Sequence, residues 1–223
     1  MLVDVATLEI NSSAGGGGNV TISGALASKT AAGKNVDILT GAGLTTIGGN
    51  IGTGANGALG TLDINATAGA GGATLSGNIG TGTTSATTPG ITGITRIGGT
   101  ATTGDITLSG TSINVGDAIT FSGANYLVAG GSNSTTIVTS NDTVDFNAGT
   151  IKVGEYAFTV DTDTLNGTGG SDGANITIDG DIIGLTATSS NTAADISLDG
   201  GKNGVVTVQN IGHTSSTDNT EIN

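Results

Sequence analysis

A six-residue phrase recurs along this chain and constrains its fold more than any other feature does. The phrase reads polar, apolar, polar, apolar, polar, glycine, and its first copy, at residues 19–24, is NVTISG. Because successive side chains of a strand point to opposite faces, Val20 and Ile22 should lie inside while Thr21 faces solvent. Further copies begin at Asp105, Asn175 and Asp195, and looser ones at Gly72 and Ala118. A short strand that ends in a glycine turn and repeats in this way predicts a repeat architecture.

The spacing of the copies favours stacked parallel strands over hairpins. No stretch has apolar residues at helical spacing, and the many Gly, Thr and Ser residues disfavour helix. Hairpins would need two-residue turns between equal strands, whereas most connections here are longer. We therefore predict an all-β parallel β-solenoid with essentially no helix, in roughly ten coils that each rise about 4.8 Å. A tandem array of antiparallel sandwiches is the alternative. The clearest strands of the first half are expected at Thr7–Ile10, Asn19–Ile22, Asn35–Leu39, Leu44–Ile47, Leu62–Ile64, Ala73–Leu75, Ile94–Ile97 and Ile106–Leu108.

The repeat pattern divides the chain into four segments. Regular coils are predicted for residues 1–110 and 174–211, and a polar tail for residues 212–223. Residues 111–173 are less regular and contain all three Phe and both Tyr residues of the chain. Larger side chains fit wider coils of the same solenoid, and a small inserted β subdomain is the alternative.

Both ends of the predicted stack consist of residues that alternate between polar and apolar, as strands do. Residues 3–10 alternate from the outset, and residues 205–211 form a good strand before the tail. Native proteins usually cover such edges with a helix, a loop or charge, and neither end offers an amphipathic helix. We expect the stack either to continue into neighbouring repeats of a longer chain or to join further copies end to end. A tail that folds over the last coil is the alternative.

Composition and charge exclude several functional classes. The chain has 18 acidic and 5 basic residues, a net charge of −13, so it lacks the basic surface that binds nucleic acid or anionic membranes. No apolar run is long enough to insert into a membrane. The absence of cysteine excludes disulfides, thiolate metal sites and cysteine nucleophiles. Aromatic residues make up only 2%, so the core must consist of small aliphatic layers.

The best candidate metal site combines acidic residues with glycine turns. Asp161 and Asp163 alternate with Thr and precede Asn166 and Gly167, and Asp172 follows a second glycine-rich turn. Alternating oxygen ligands that end at a glycine turn suit Ca²⁺. Acidic turn residues, however, often bond only to their own backbone. Asp161, Asp163 and Asp172 are therefore the candidate calcium ligands, and no other cofactor is expected.

No catalytic constellation is evident in the sequence. His213 is the single histidine, and a histidine without a fixed acid partner does not make a catalytic triad. Carboxylates from stacked coils could cleave glycosidic bonds, but the chain has few aromatic or basic residues to bind sugars. Threonine pairs such as Thr45–Thr46 and Thr102–Thr103 do not recur at one position of the repeat, so no regular threonine array for ice binding is expected. We predict a non-enzymatic protein, with a carbohydrate-binding or carbohydrate-active β-helix (a lyase or hydrolase) as the alternative.

The repeated phrase, the spacers rich in Gly, Thr and Ala, and the missing cysteine together resemble bacterial β-strand-repeat surface proteins. This class includes filamentous-haemagglutinin-like adhesins and autotransporter passengers, and the resemblance covers nearly the whole chain. It implies a right-handed β-helix, secretion to the cell surface and a structural or adhesive role. Surface glycans are then the candidate ligands.

Overall fold

The computed structural model describes residues 1–31, 33–53, 57–67, 69–81, 88–110, 112–128, 134–154, 156–163, 172–184 and 195–212. These residues form 20 strands and a single 3-10 turn, Ala14–Gly16. In chain order the strands are β1 (Leu2–Val3), β2 (Thr7–Asn11), β3 (Val20–Ile22), β4 (Ala27–Ser28), β5 (Asn35–Leu39), β6 (Thr45–Ile47), β7 (Leu62–Ile64), β8 (Ala73–Leu75), β9 (Thr95–Ile97), β10 (Ile106–Leu108), β11 (Ser112–Asn114), β12 (Ile119–Ser122), β13 (Asn125–Val128), β14 (Thr135–Val138), β15 (Val144–Asn147), β16 (Thr150–Val153), β17 (Phe158–Asp161), β18 (Ile176–Gly184), β19 (Ile196–Asp199) and β20 (Val206–Ile211).

All pairings between these strands are parallel, which confirms the predicted all-β parallel β-solenoid. The shortest register step joins Ile106 to Tyr126, 20 residues later, and the longest joins Phe158 to Ile196, 38 residues later. Each coil of the chain forms one level of the stack. Many coils are longer than expected, so the chain makes fewer of them: the described strands of the first face form eight levels, not roughly ten.

Eighteen of the strands line three faces of the stack, and β1 and β4 pair with each other in a separate two-stranded sheet. The first face contains β2, β5, β7, β9, β12, β15, the first half of β18, and β20. The second contains β3, β6, β8, β10, β13, β16, the second half of β18 and the end of β20, so β18 and β20 each join the two faces. The third contains β11, β14, β17 and β19, and isolated bridges through Leu26, Ile51, Ile79 and Ile113 extend it to the lower levels.

Columns of apolar side chains run up the inside of each face. One such column on the first face consists of Ile10, Ile38, Ile64, Ile97, Phe121, Phe146, Ile178 and Val208. In the middle levels the columns meet in an aromatic cluster, where the Phe121 and Phe146 rings stack with centroids 4.6 Å apart. Tyr126 meets Phe146 edge to face at 5.1 Å. Phe121, Tyr126, Phe146 and Phe158 therefore fill the core of the same stack, since β12 pairs with β9 below and β15 with β18 above, whereas Tyr156 is exposed.

The glycine that ends the phrase is required by close stacking. Gly24, Gly49, Gly77 and Gly110 occupy successive levels, and none of them has a positive φ. A Cβ atom on Gly77 would lie 2.4 Å from the carbonyl carbon of Gly49, and one on Gly49 would lie 2.5 Å from that of Gly24. The expected turn conformation is therefore not the reason for glycine at these positions. At Gly49, Gly77 and Gly110 the reason is that the level below leaves no room for a side chain, whereas a Cβ on Gly24, in the first level, would meet nothing within 4 Å.

Candidate functional sites

The three candidate calcium ligands lie at the connection between β17 and β18. Asp161 ends β17, and its Oδ1 accepts a hydrogen bond from the backbone N–H of Asp163 at 3.0 Å. Asp172 stands on the other side of the connection, where its Oδ1 accepts a hydrogen bond from Asn203 Nδ2 at 3.2 Å. Buried Thr162 ties the two sides together, because its hydroxyl accepts the N–H of Ala174 at 3.0 Å.

The same acidic turn recurs one level higher. Asp199 pairs in register with Asp161, and its Oδ1 accepts the N–H of Gly201 at 2.9 Å. An ideal Cβ on Gly201 would lie 3.0 Å from Cβ of Asp163, so the two turns are closely stacked. Asp161 and Asp199 thus each bond to their own backbone two residues on, as acidic turn residues commonly do.

Within the part of the chain that the structure describes, no group of three or more His, Cys, Asp or Glu residues is placed to hold a metal ion. Asn166 and Gly167 of the predicted calcium loop, and the histidine His213, lie outside the described residues. Calcium binding by Asp161, Asp163 and Asp172 stays a prediction.

A column of charged side chains occupies the outer surface of the first face. Glu9, Asp37, Asp63 and Arg96 are registered neighbours on β2, β5, β7 and β9. The Arg96 guanidinium lies 3.3 Å from Oδ2 of Asp63, while Oδ1 of Asp63 is inaccessible and has no hydrogen-bond partner in the described part of the chain. Three carboxylates on adjacent strands, with one cation at their upper end, were not expected from the sequence.

Burial and like charge both disfavour ionisation in this column. Partial burial raises the pKa of Asp37, and Glu9 below it raises this pKa further. Burial also raises the pKa of Asp63, Arg96 lowers it, and Asp37 raises it again. The alternation of polar and apolar residues predicts that these side chains face outward. Only the register shows that they face one another.

Threonine and serine form a second column on the outer surface of the second face. Thr21, Thr46, Thr74 and Thr107 are registered neighbours on β3, β6, β8 and β10. Beside them, Ser23, Ser76 and Ser109 follow the same strands, with Gly48 at the remaining level. Thr45, of the Thr45–Thr46 pair, is registered with Val20 and Ala73, so this pair does not continue into the neighbouring levels. The column of single outward threonines was not expected from the sequence, because the coils differ in length and registered residues are therefore unevenly spaced along the chain.

Among the described residues, most of the exposed large apolar side chains lie in the first and last levels. Leu2 and Val5 in the first level are 68% and 54% exposed, and Val205 and Ile211 in the last level are 60% and 55% exposed. Within the described residues, β2 pairs only with β5 and β20 only with β18, so each has one unpaired edge. The predicted strand pattern at both ends is thus present, with open edges in the part described.

No protein-family model matches this chain, and neither a curated protein nor a solved structure matches it. The resemblance to bacterial β-strand-repeat surface proteins stays a prediction that rests on the repeated phrase. None of the described helical residues forms a segment with the length and hydrophobicity needed to cross a bilayer.

Proposed function

We propose that this chain is a non-enzymatic structural or adhesive repeat protein of the cell surface or extracellular space. The observation that supports the proposal is that many outer polar side chains form hydrogen bonds to the neighbouring level. Asn19 Oδ1 accepts the N–H of Leu44 at 2.9 Å, and Asn50 Oδ1 accepts the N–H of Asn78 at 3.0 Å. The same use recurs between Asn125 and Asp105, between Asn175 and Val205, and between Asn210 and Asp181.

Side chains that bond successive levels hold a long stack together without disulfides. This suits a protein that contains no cysteine and has few aromatic residues for its core. Its partners in this role are neighbouring repeats or further copies, which would pair with the open edges of β2 and β20. Surface glycans are the proposed ligands for adhesion. The column of Thr21, Thr46, Thr74 and Thr107 offers them uncharged hydroxyl groups.

A carbohydrate-active enzyme is the second candidate function, and the three carboxylates in the column of charged side chains on the first face favour it. Asp37 and Asp63 are registered neighbours on adjacent strands, which brings two carboxyl groups close together, and glycosidases flank the scissile bond with such a pair. Burial raises the pKa of Asp63, which suits a general acid. Arg96 beside Asp63 opposes this role, because a cation stabilises the ionised carboxylate.

A glycan array that includes acidic polysaccharides separates the two functions when binding and new reducing ends are both measured. We expect binding without turnover, weakened by Thr46→Val with Thr74→Val, since valine keeps the shape and removes the hydroxyl. Thr120→Val on the first face is the matched control. Turnover that is lost in Asp63→Asn but kept in Asp145→Asn would contradict the proposal and support the enzyme.

A further inference from the structure

The inward columns of apolar side chains run through every level of the stack, so the first and last levels present corresponding members of the same columns. Leu8 and Val206 are the first and last members of one inward column on the first face. Ile10 and Val208 are the first and last members of the next inward column. Leu8, Ile10 and Val208 pack against the core, and Val206 pairs with buried Ile176 but is itself 39% exposed. Within the described residues, each of the four has a registered neighbour on one side only.

The second face repeats this correspondence. Val20 begins an inward column on β3, and Ile211 ends that column on β20, where it pairs with Ile182. On the outer surface, Glu9 begins the column that Thr207 ends, so placing the first level of one copy on the last level of another brings no like charges into register there. The space beside Gly24 is also free for a further level, since a Cβ at this position would meet nothing within 4 Å in its own chain.

Resting on the structural role proposed above, we infer that copies of this chain stack head to tail. In this contact β2 of one copy pairs with the open edge of β20 of another, in the register that already relates β5 to β2. Leu8 then covers Val206, Ile10 covers Val208 and Val20 covers Ile211. The contact uses different surfaces of the two copies, so it does not close, and repetition of it gives a filament.

Charge sets the condition under which the contact forms. Each copy carries a net charge of −13, so approaching copies repel each other at low ionic strength. The contact itself is apolar and buries the exposed side chains of both ends, which favours association. Added salt screens the repulsion over distances beyond about 10 Å at 0.1 M and beyond about 3 Å at 1 M. Filament growth should therefore increase with salt.

Disulfide cross-linking tests the register, because the chain contains no cysteine of its own. Glu9→Cys and Thr207→Cys are combined in one chain and oxidised at high concentration and high salt. Registered residues on neighbouring parallel strands are about 4.8 Å apart, within the roughly 4.4–6.8 Å between Cα atoms that a disulfide spans. We expect a ladder of covalent dimers, trimers and longer species. Glu9→Cys combined with Thr120→Cys is the control, since Thr120 lies in the same outer column at a middle level.

Equal cross-linking in the test and control variants would overturn the inference, because it would reflect random collision. Monomers alone in both variants would also overturn it. Light scattering on the unsubstituted chain provides a second readout that needs no variant to fold. Assembly that grows with salt and is lost in Val206→Lys supports the contact, and a strictly monomeric chain at millimolar concentration contradicts it. Glycan turnover would contradict the proposed function while leaving this result unchanged.

Discussion

Asp37 and Asp63 occupy registered positions on β5 and β7, with both carboxyl groups on the outer surface of the first face. Glu9 lies in register below Asp37, and Arg96 lies above Asp63. The lower part of this column thus places three carboxylates on adjacent strands with a single cation at its upper end. Like charges on neighbouring strands destabilise a sheet, so the outer charge pattern opposes the stacking that the core favours.

Asp37→Asn should stabilise the protein at pH 7. The pKa of Asp37 is raised above its ordinary value of 3.8, so the folded state binds a proton more readily than the unfolded state. The stabilisation that protonation gives is complete below pH 3.8 and is lost as the pH rises through the raised pKa. The variant should therefore gain about 0.5 kcal/mol or less at pH 7, because Asp37 is only partly buried and solvent screens the repulsion.

Thermal unfolding measured from pH 3.5 to pH 8 checks this prediction. The unsubstituted chain should lose stability with rising pH across the lower part of this range more than Asp37→Asn does. Asp145→Asn is the control, since Asp145 lies in the same column between Thr120 and Thr177. An equal gain at pH 7 from both variants would show that general charge reduction, rather than the Glu9–Asp37–Asp63 register, is responsible.

Phe146→Ala should strongly destabilise the fold. The Phe146 ring stacks on Phe121 at 4.6 Å and meets Tyr126 and Phe158 edge to face at 5.1 and 6.1 Å. Removal of a buried aromatic ring costs about 3–5 kcal/mol. Chemical denaturation should show this loss, whereas Asp145→Ala on the same strand should change the free energy of unfolding by about 0.5 kcal/mol or less. A loss below about 1 kcal/mol for Phe146→Ala would argue against a packed aromatic core.

Gly77→Ala should destabilise the protein and Gly24→Ala should not, although both glycines end a copy of the phrase. A Cβ on Gly77 would lie 2.4 Å from backbone atoms of Gly49, whereas one on Gly24 would meet nothing within 4 Å. Neither glycine has a positive φ. In monomeric protein, Gly77→Ala should lower the melting temperature, while Gly24→Ala should leave it unchanged or raise it by reducing the entropy of the unfolded chain. Equal effects would contradict the stacked glycine column.

Calcium should raise the melting temperature if Asp161, Asp163 and Asp172 bind it, because a ligand that binds only the folded state stabilises that state. Ligand concentration at 100 times the dissociation constant gives about 2.7 kcal/mol. The combined variant Asp161→Asn, Asp163→Asn should abolish the shift. No shift at millimolar Ca²⁺, or an equal shift in the variant, would reject the site.

Strand positions were predictable because inward and outward residues alternate within each strand. The expected strands at Asn35–Leu39, Leu62–Ile64, Ala73–Leu75 and Ile106–Leu108 match the observed ones, and Ile94–Ile97 is one residue too long. β13, β14 and β15 were not predicted. They lie among the large side chains of the middle segment, where the phrase is less regular.

Register was not predictable, because it depends on the lengths of the coils. The steps from Asp37 to Asp63 and from Asp63 to Arg96 differ by several residues, so no fixed period in the sequence places these charges together. The acidic turn at Asp161 was identified from its sequence, whereas its stacking on the turn at Asp199 required the structure. Local alternation thus defines the strands. The columns that could bind ligands or partners depend on contacts between levels.

Intramolecular cross-linking tests the stacked parallel register most directly. Thr46 and Thr74 are registered neighbours, whereas Thr46 and Thr107 are two levels apart. Registered residues are about 4.8 Å apart and those two levels apart about 9.6 Å, beyond the roughly 7 Å limit for a disulfide. In dilute solution, Thr46→Cys with Thr74→Cys should form a disulfide within the monomer, and Thr46→Cys with Thr107→Cys should not. Failure of the first pair to close, or equal closure of both pairs, would contradict the stack.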